Sequence, residues 1–307
     1  MSVRIMKPGM LTTVQDEGRW GYQNLGVSVA GPMDRVSHRL SNLLVGNRRW
    51  AATLEVTLIG PELEFERETV FVVTGAEFHL TLNDVEIPMN TPTRTRRGSV
   101  LRLKERRRGA RAYVAVRGGF NVPLVLGSRS THLASCTGGV DGRALVSGDR
   151  IPVGEVDPTI KIPNQVKQST DMLPVKGAYL RVMMGPQEKE FSAESLETLR
   201  TARYEITPQS NRMGYRLAGS CLYYRTGGSV LSDGTPIGSV QVPPAGEPIL
   251  LMADGQTSGG YPKVSTVITA DLSLAGQLAP GDWIQFSVCD HATAVRALIA
   301  QERFLME

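Results

Sequence analysis

The stretch Asp254–Asp271, DGQTSGGYPKVSTVITAD, joins a group of polar side chains to a short β-rich run. Carboxylate, amide, hydroxyl, phenol and ammonium groups all occur between Asp254 and Ser265, interrupted by Gly259-Gly260. Paired glycines allow the backbone to adopt positive φ and to approach a ligand closely. The run Val264–Ile268 that follows is typical of a buried strand. We therefore interpret the stretch as a loop on a β scaffold that binds a small polar molecule, with a purely structural turn as the alternative.

Short β-rich runs like this one recur along the chain between glycine and proline residues, of which there are 32 and 18. Runs of this length between turn residues predict β-barrels or sandwiches rather than alternating βα units. We therefore expect a mainly β fold with a few helices. The runs are Val70–Thr74, Val100–Leu103, Tyr113–Val116, Leu180–Met183, Ile249–Met252, Val264–Ala270 and Trp283–Val288.

Three segments carry helix signals. Pro32 is predicted at the first position of a helix whose apolar residues follow helical spacing until Gly46. Ser192 is predicted to cap a second helix that runs to about Thr201. Asp290 is predicted to cap a third. The apolar residues expected to face the core from this third helix are Val295, Leu298 and Ile299.

The chain of 307 residues is long enough for two domains. Residues 155–176 are rich in proline, glutamine and lysine without an apolar period, so we predict domains at 1–165 and 166–307. The hexapeptides SGDRIP, at 147–152, and PGDWIQ, at 280–285, each place a Gly-Asp turn before a strand. This similarity suggests two related halves, and a coincidental pair of tight turns is the alternative.

The charge distribution argues against a nucleic-acid partner. The chain has 34 Lys+Arg and 30 Asp+Glu residues, a net charge of +4, and the basic excess is concentrated between Arg94 and Arg111. No aromatic residue lies between Phe78 and Tyr113, whereas proteins that bind single strands stack bases on aromatic side chains. We interpret RLKERRRGAR as a charged hairpin tip between strands, which is either solvated or in contact with an acidic partner protein.

Cysteine content and hydropathy indicate a cytoplasmic protein. The three cysteines are far apart and form no CxxC pair, which favours a reducing compartment. The N-terminus reaches charge and glycine too early for a secretory signal, and no window approaches the length of an apolar membrane span. The four histidines lack metal-ligand spacing, so no metal site is expected.

Other polar segments are candidate binding sites. Thr12–Gly21 holds amide, carboxylate and guanidinium groups between hydroxyl and glycine residues, although Asp16 and Arg19 could simply form a local ion pair. Leu126–His132, LGSRSTH, could bind a carboxylate or phosphate through charge-assisted hydrogen bonds, or could be an ordinary serine-rich turn. The predicted substrate-binding residues are Gln15, Asp16, Arg19, Ser128, Arg129, Ser130, Arg212, Gln241 and Thr257.

Several familiar active-site motifs are missing from the sequence. It contains no GxxxxGK[ST] loop for ATP phosphates, no GxGxxG and no GxSxG nucleophile elbow. A complete, self-contained active site therefore cannot be identified from these residues.

Five segments together resemble one family nearly from end to end. They are TTVQDEGRWGYQNLGVSVAGPMD, ATLEVTLIGPELEF, AVRGGFNVPLVLGSRST, SNRMGYRL and IGSVQVPPAGEPILLMADGQTSGGYPKVSTVITADL. The chain resembles the C-subunit family of the bacterial ATP-dependent 5-oxoprolinases, also called the biotin-dependent carboxyltransferase family, allophanate hydrolase subunit 2 or KipA. The resemblance implies tandem cyclophilin-like β-barrels. It also implies action with the A and B subunits, the latter KipI-like, to convert 5-oxoproline to L-glutamate with ATP hydrolysis.

The resemblance implies an active site shared between chains, with ATP bound together with the partner subunits. Developing negative charge on the lactam oxygen would be stabilised by polar donors such as Gln241, Gln256, Thr257 and Lys263. The predicted catalytic residues are Asp254, Gln256, Tyr261 and Lys263.

Two alternative functions remain open. The first is a carboxyltransferase of the urea carboxylase kind, in which Lys263 and Asp254 would orient the acceptor nitrogen. Any biotin would then arrive on a separate carrier, because this chain has no Met-Lys-Met site and Lys7 lies between Met6 and Pro8. The second is a non-catalytic KipA-type regulator that binds a KipI-like partner.

Overall fold

The computed structural model describes residues 2–162, 173–225 and 230–306. They form two compact units: the first comprises residues 2–19, 30–162 and 173, and the second comprises residues 20–29, 174–225 and 230–306. The domain boundary predicted between residues 165 and 166 lies outside the described residues.

The first unit is built on a nine-stranded sheet in which neighbouring strands are antiparallel. The path runs β2-β3-β8-β4-β1-β9, and β5 pairs with β8, β6 and β7. The elements are β1 (Ser2–Lys7), β2 (Leu11–Gln15), α1 (Arg35–Leu44), β3 (Thr53–Thr57), β4 (Glu62–Phe65), β5 (Thr69–Leu82), β6 (Val85–Ile87), β7 (Thr93–Thr95), β8 (Ser99–Val116) and β9 (Arg150–Pro152).

Alternation of side chains places one face of this sheet in the core. In β1, for example, Val3 and Ile5 are fully buried while Arg4 between them is partly exposed. The same core contains the stacked rings of Phe65 and Phe71, whose centroids are 4.9 Å apart.

The second unit contains a closed barrel of seven strands in the order β10-β17-β14-β15-β12-β11-β18, completed by parallel pairing of β10 with β18. A separate ribbon pairs β13 with β16. The elements are β10 (Gly177–Met184), α2 (Ala193–Thr201), β11 (Arg203–Ile206), β12 (Gly214–Ala218), β13 (Asp233–Gly234), β14 (Ser239–Gln241), β15 (Ile249–Leu251), β16 (Ser258–Gly259), β17 (Lys263–Val267), α3 (Leu272–Gly276), β18 (Trp283–Val288) and α4 (His291–Met306). The predicted fold class, mainly β with a few helices and barrel architecture, is confirmed.

The predicted charged hairpin tip at RLKERRRGAR is wrong. The two runs expected to flank it, Val100–Leu103 and Tyr113–Val116, belong to one continuous strand, β8, that pairs with β5 through three register shifts. The basic side chains between them are mostly exposed, because this part of the strand lies outside the buried face. High charge and a single glycine, Gly109, imitate a turn in the sequence, but no two-residue turn signal is present there.

The helix predictions are correct in position and partly wrong in detail. Ser192 and Asp290 accept hydrogen bonds from Ser195 N and Thr293 N, at 3.1 and 2.8 Å, and so cap α2 and α4 as expected. The first helix begins at Arg35 with Asp34 as its cap, so Pro32 precedes it rather than occupying its first turn. Val295 and Ile299 were expected to be buried, but they are 39% and 46% exposed on α4.

The two similar hexapeptides form the same turn. Asp149 Oδ2 accepts from Val146 N at 2.8 Å, and Asp282 Oδ2 accepts from Ala279 N at 2.9 Å. Each carboxylate thereby holds a turn whose glycine has positive φ, immediately before β9 or β18. Within the described part of the chain, no helix is long and apolar enough to cross a membrane.

Candidate functional site

The first polar cluster, in the first unit, surrounds the buried carboxylate of Asp16. Ser128 Oγ and Ser130 Oγ donate to Oδ1 at 2.5 and 2.6 Å, and the Arg129 amide donates to Oδ2 at 2.5 Å. The Gly18 amide adds a fourth bond at 3.0 Å. Four donors satisfy most of the acceptor capacity of a carboxylate, so Asp16 fixes the 128–130 loop beside the end of β2.

Gln15 and Arg19 extend this cluster with further bonds to the same loop. Gln15 Nε2 donates to Thr13 Oγ1 at 3.0 Å and to the Thr131 carbonyl at 3.1 Å. The Arg19 guanidinium donates to the Ser130 carbonyl, and this side chain is only 1% exposed. The structure thus brings together two predicted segments that are more than 100 residues apart, with their polar groups largely engaged with each other.

A buried network next to α1 carries chemistry that the sequence motifs did not indicate. Glu55 Oε2 accepts hydrogen bonds from Tyr113 Oη at 2.7 Å and from Met33 N at 2.8 Å. Tyr113 Oη in turn accepts from the amide of Asp34 at 2.8 Å. Burial, and secondly the Glu55 charge, raise the pKa of Tyr113 well above its ordinary value. The available signal was a carboxylate inside the apolar strand sequence LEVTL, where an ion requires partners.

His38, on α1, is fully buried beside this network. Its Nδ1 lies 3.0 Å from Thr53 Oγ1, and its ring packs edge-on against Tyr113. Burial lowers the pKa of His38 from 6.5 to about 4, against the opposing charge of Asp16. The imidazole is therefore neutral at pH 7 in the folded protein.

We expect this buried histidine to make stability depend on pH. Its pKa is lower in the folded state than in the unfolded chain, so its contribution is complete above pH 6.5 and is lost as the pH falls toward 4. The difference corresponds to about 3 kcal/mol. Urea unfolding between about pH 7 and 4.5 should show a shallower pH slope for His38→Gln than for wild type. The half-exposed His79 is the control, and His79→Gln should leave the slope unchanged; equal slopes for His38→Gln and wild type would contradict the expectation.

The second polar cluster, in the second unit, is centred on a buried ion pair. Arg212 Nε and Nη2 donate to the two carboxylate oxygens of Asp254 at 2.9 and 2.8 Å. The two side chains are 4% and 3% exposed. The Asp254 amide also donates to the Arg212 carbonyl at 2.9 Å. This two-point geometry fixes the start of the 254–262 loop against the turn that enters β12.

Lys263 begins β17 and is buried, with 3% of its surface exposed. Its Nζ donates to Asp233 Oδ2 at 2.6 Å and to the Gly234 carbonyl at 2.7 Å. The Lys263 amide donates to the side chain of Gln187 at 3.1 Å. An ammonium group has three N–H donors, so one remains for a further acceptor.

The remaining predicted residues of this unit adjoin Lys263 on the same loop. Gln256 Nε2 donates to Gln241 Oε1 at 3.4 Å, and Gln241 Nε2 donates to the Tyr261 carbonyl at 3.3 Å. The Thr257 carbonyl accepts from the amide of Thr235 at 3.0 Å, whereas the Tyr261 side chain is 42% exposed. The predicted residues of the second unit therefore share one loop, with amide and ammonium donors concentrated at the start of β17.

The short ribbon formed by β13 and β16 was not predicted, although it covers Lys263. Thr235 Oγ1 donates to the Gln256 carbonyl at 2.5 Å, which fastens the segment to the loop. The sequence signal was the Asp233-Gly234 pair, a common turn dipeptide in a run without apolar periodicity. Among the described residues, no group of three or more histidine, cysteine, aspartate or glutamate residues could hold a metal ion.

Barrel architecture with a polar loop before β17 defines this chain as a protein of the carboxyltransferase fold class. Its structure matches the crystal structure of urea amidolyase from K. lactis with a TM-score of 0.91 at 33% identity, over 99% of this chain and 20% of that chain. Residues 25–288 match the family described as carboxyltransferase domain, subdomain A and B, so the chain belongs to that family.

Full-length relatives carry two kinds of name. The chain is 39% identical to the 5-oxoprolinase C subunit of Escherichia coli K12 over 98% of its length and 96% of that protein. It is 35% identical to urea amidolyase of Saccharomyces cerevisiae over 93% of its length, but it covers only 16% of that longer protein. The expected family is therefore confirmed.

Proposed function

We propose that this chain is the C subunit of an ATP-dependent 5-oxoprolinase, which acts with the A and B subunits to convert 5-oxoproline to L-glutamate. The B partner in this proposal is KipI-like. The observation that carries the proposal is the 39% identity to the E. coli 5-oxoprolinase protein across 98% of this chain and 96% of that protein. That relative is named as one subunit of an enzyme, which supports a role that depends on partner chains.

The lactam of 5-oxoproline is a poor electrophile, so ATP chemistry would activate its carbonyl oxygen. Negative charge that develops on this oxygen needs hydrogen-bond donors that are already in place. Lys263 has one N–H free of the bonds to Asp233 and Gly234, and Gln241 and Gln256 present amide groups beside it. Because the sequence has no P-loop, we propose that ATP is bound at a site shared with the partner subunits.

We expect ADP release to require both 5-oxoproline and this chain when it is combined with its A and B partners. The assay measures ADP with each protein omitted in turn, and with 5-oxoproline present or absent. Omission of this chain should lower the oxoproline-dependent rate to the background of the remaining proteins. If that rate is the same without this chain, the proposed function is wrong.

A second candidate is a carboxyltransferase component, favoured by the TM-score of 0.91 to urea amidolyase. Carboxybiotin would come from another protein, and Lys263 and Asp254 would orient the acceptor nitrogen. The same reconstitution distinguishes the candidates if a biotinylated carrier replaces the A partner, because carboxyl transfer consumes carboxybiotin and leaves 5-oxoproline intact. A KipA-type regulator would instead bind the B partner and catalyse neither reaction.

A further inference from the structure

A cavity of about 270 Å³ lies in the first unit, where three loop segments meet. Residues 46–52 follow α1, residues 118–121 follow β8, and residues 154–157 follow β9. The Phe120 amide donates to the Ala52 carbonyl at 3.0 Å and the Gly154 amide donates to the Gly119 carbonyl at 2.8 Å. These backbone bonds fix the cavity walls relative to each other.

Glycine at the base keeps the cavity open. Gly118 and Gly119 have φ values of +99° and +69°, which residues with a side chain rarely adopt. A Cβ on Gly118 would lie 2.4 Å from the Gly154 carbonyl oxygen, too close for any other residue. Main chain therefore forms this part of the cavity, and the side chains that could bind a ligand stand around it.

One pair of charges on the cavity wall is already matched. Arg48 donates to Asp157 Oδ2 from Nη2 at 3.0 Å and from Nε at 3.2 Å, and its guanidinium lies 5.5 Å from the centre of the Trp50 ring. The other oxygen of Asp157 accepts from Thr159 Oγ1 at 2.6 Å. This ion pair leaves Trp50, which is 54% exposed, as an apolar surface beside the opening.

Two opposite charges on the wall are not matched by the described residues. Arg129 Nη2 donates to the neutral Asn121 side chain at 2.7 Å, and Arg129 Nε is buried without a hydrogen-bond partner there. Neither Arg129 nor Glu155 forms an ion pair within residues 2–162, 173–225 and 230–306. The cavity therefore offers a guanidinium and a carboxylate to one small molecule.

We propose that this cavity binds an α-amino acid through both of its charged groups. The ligand carboxylate would bind the Arg129 guanidinium, whose planar donors match a carboxylate, and the ligand ammonium would bind the Glu155 carboxylate. A molecule with only one of these groups would leave the opposite charge of the cavity without a partner. The proposal concerns the first unit and does not depend on the proposed 5-oxoprolinase activity.

L-proline and 5-oxo-L-proline form a matched pair of probes for this site. They share the five-membered ring and the carboxylate, but only L-proline carries a protonated amine. Calorimetric titration of the purified full chain should give a dissociation constant on the order of 1 mM for L-proline. Binding of 5-oxo-L-proline should be at least tenfold weaker. If L-proline does not bind, or if 5-oxo-L-proline binds as tightly, the proposal is overturned.

Two charge-neutral variants test the assigned roles. Arg129→Gln and Glu155→Gln should each weaken L-proline binding at least tenfold, and circular dichroism should show the wild-type fold. Glu155 lies on an exposed loop, so its variant tests the charge with little risk to folding. Arg67→Gln and Glu68→Gln, at exposed positions between β4 and β5, are the matched controls and should bind like wild type. Unchanged binding by folded Glu155→Gln would overturn the assignment of the ammonium.

Discussion

Lys263→Met should lower oxoproline-dependent ADP release by about 100-fold or more in the mixture with the A and B partners. Methionine keeps the apolar stem of the lysine but removes the ammonium. Lys263 Nζ is the cation at the start of β17, and its third N–H is the donor available for a developing oxyanion. The loss should therefore appear in the chemical step rather than in assembly of the three proteins.

The same variant should be close to wild type in stability. Its lost ion-pair partner, Asp233, is 60% exposed and returns to solvent, so the cost is about 1 kcal/mol or less. Lys189→Met, at an exposed position in the same unit, is the control and should retain full activity. A Lys263→Met protein that melts far below wild type would identify the lysine as a structural anchor for the β13 segment. Full activity would remove Lys263 from the proposed mechanism.

Local signals in the sequence were sufficient for much of the fold. Ser192 and Asp290 are capping residues whose bonds reach only three residues along the chain, so their roles could be predicted without knowledge of packing. The error at β8 has a physical cause: a strand that extends beyond the core has no buried face, and its exposed arginines carry no period-two pattern. Exposed Val295 and Ile299 show the same limit, because helical spacing does not state what an apolar face contacts.

The candidate site was predictable in composition but not in pairing. The loop from Asp254 to Lys263 was identified by its crowded polar groups, yet Asp254 binds Arg212, 42 residues away. Lys263 binds Asp233, 30 residues away and outside every predicted motif. Partners at such separations are brought together by barrel closure, and nothing in local spacing encodes them. The 128–130 loop and Asp16 illustrate the same point in the first unit.

Asp254→Asn is expected to destabilise the second unit by about 3–5 kcal/mol, because it leaves the Arg212 guanidinium charged inside the protein. Arg212 is only 4% exposed, so water cannot replace the carboxylate. Urea unfolding can be followed through Trp20 and Trp283, which both belong to this unit, in a Trp50→Phe background. The unfolding midpoint should shift to markedly lower urea without a change in the signal of the folded state.

An exposed ion pair and a double variant complete this test. Glu197→Gln removes a surface pair with Arg200 on α2, at 3.7 Å, and should change stability by less than about 0.5 kcal/mol. Arg212→Met combined with Asp254→Leu removes both charges and should be less destabilised than Asp254→Asn alone, since no uncompensated ion remains. A wild-type midpoint for Asp254→Asn, together with lost ADP release, would instead assign Asp254 a direct role in the reaction. Destabilisation that the double variant relieves would show that the carboxylate acts by holding the 254–262 loop in place, so that the loop presents Lys263 and the neighbouring amides.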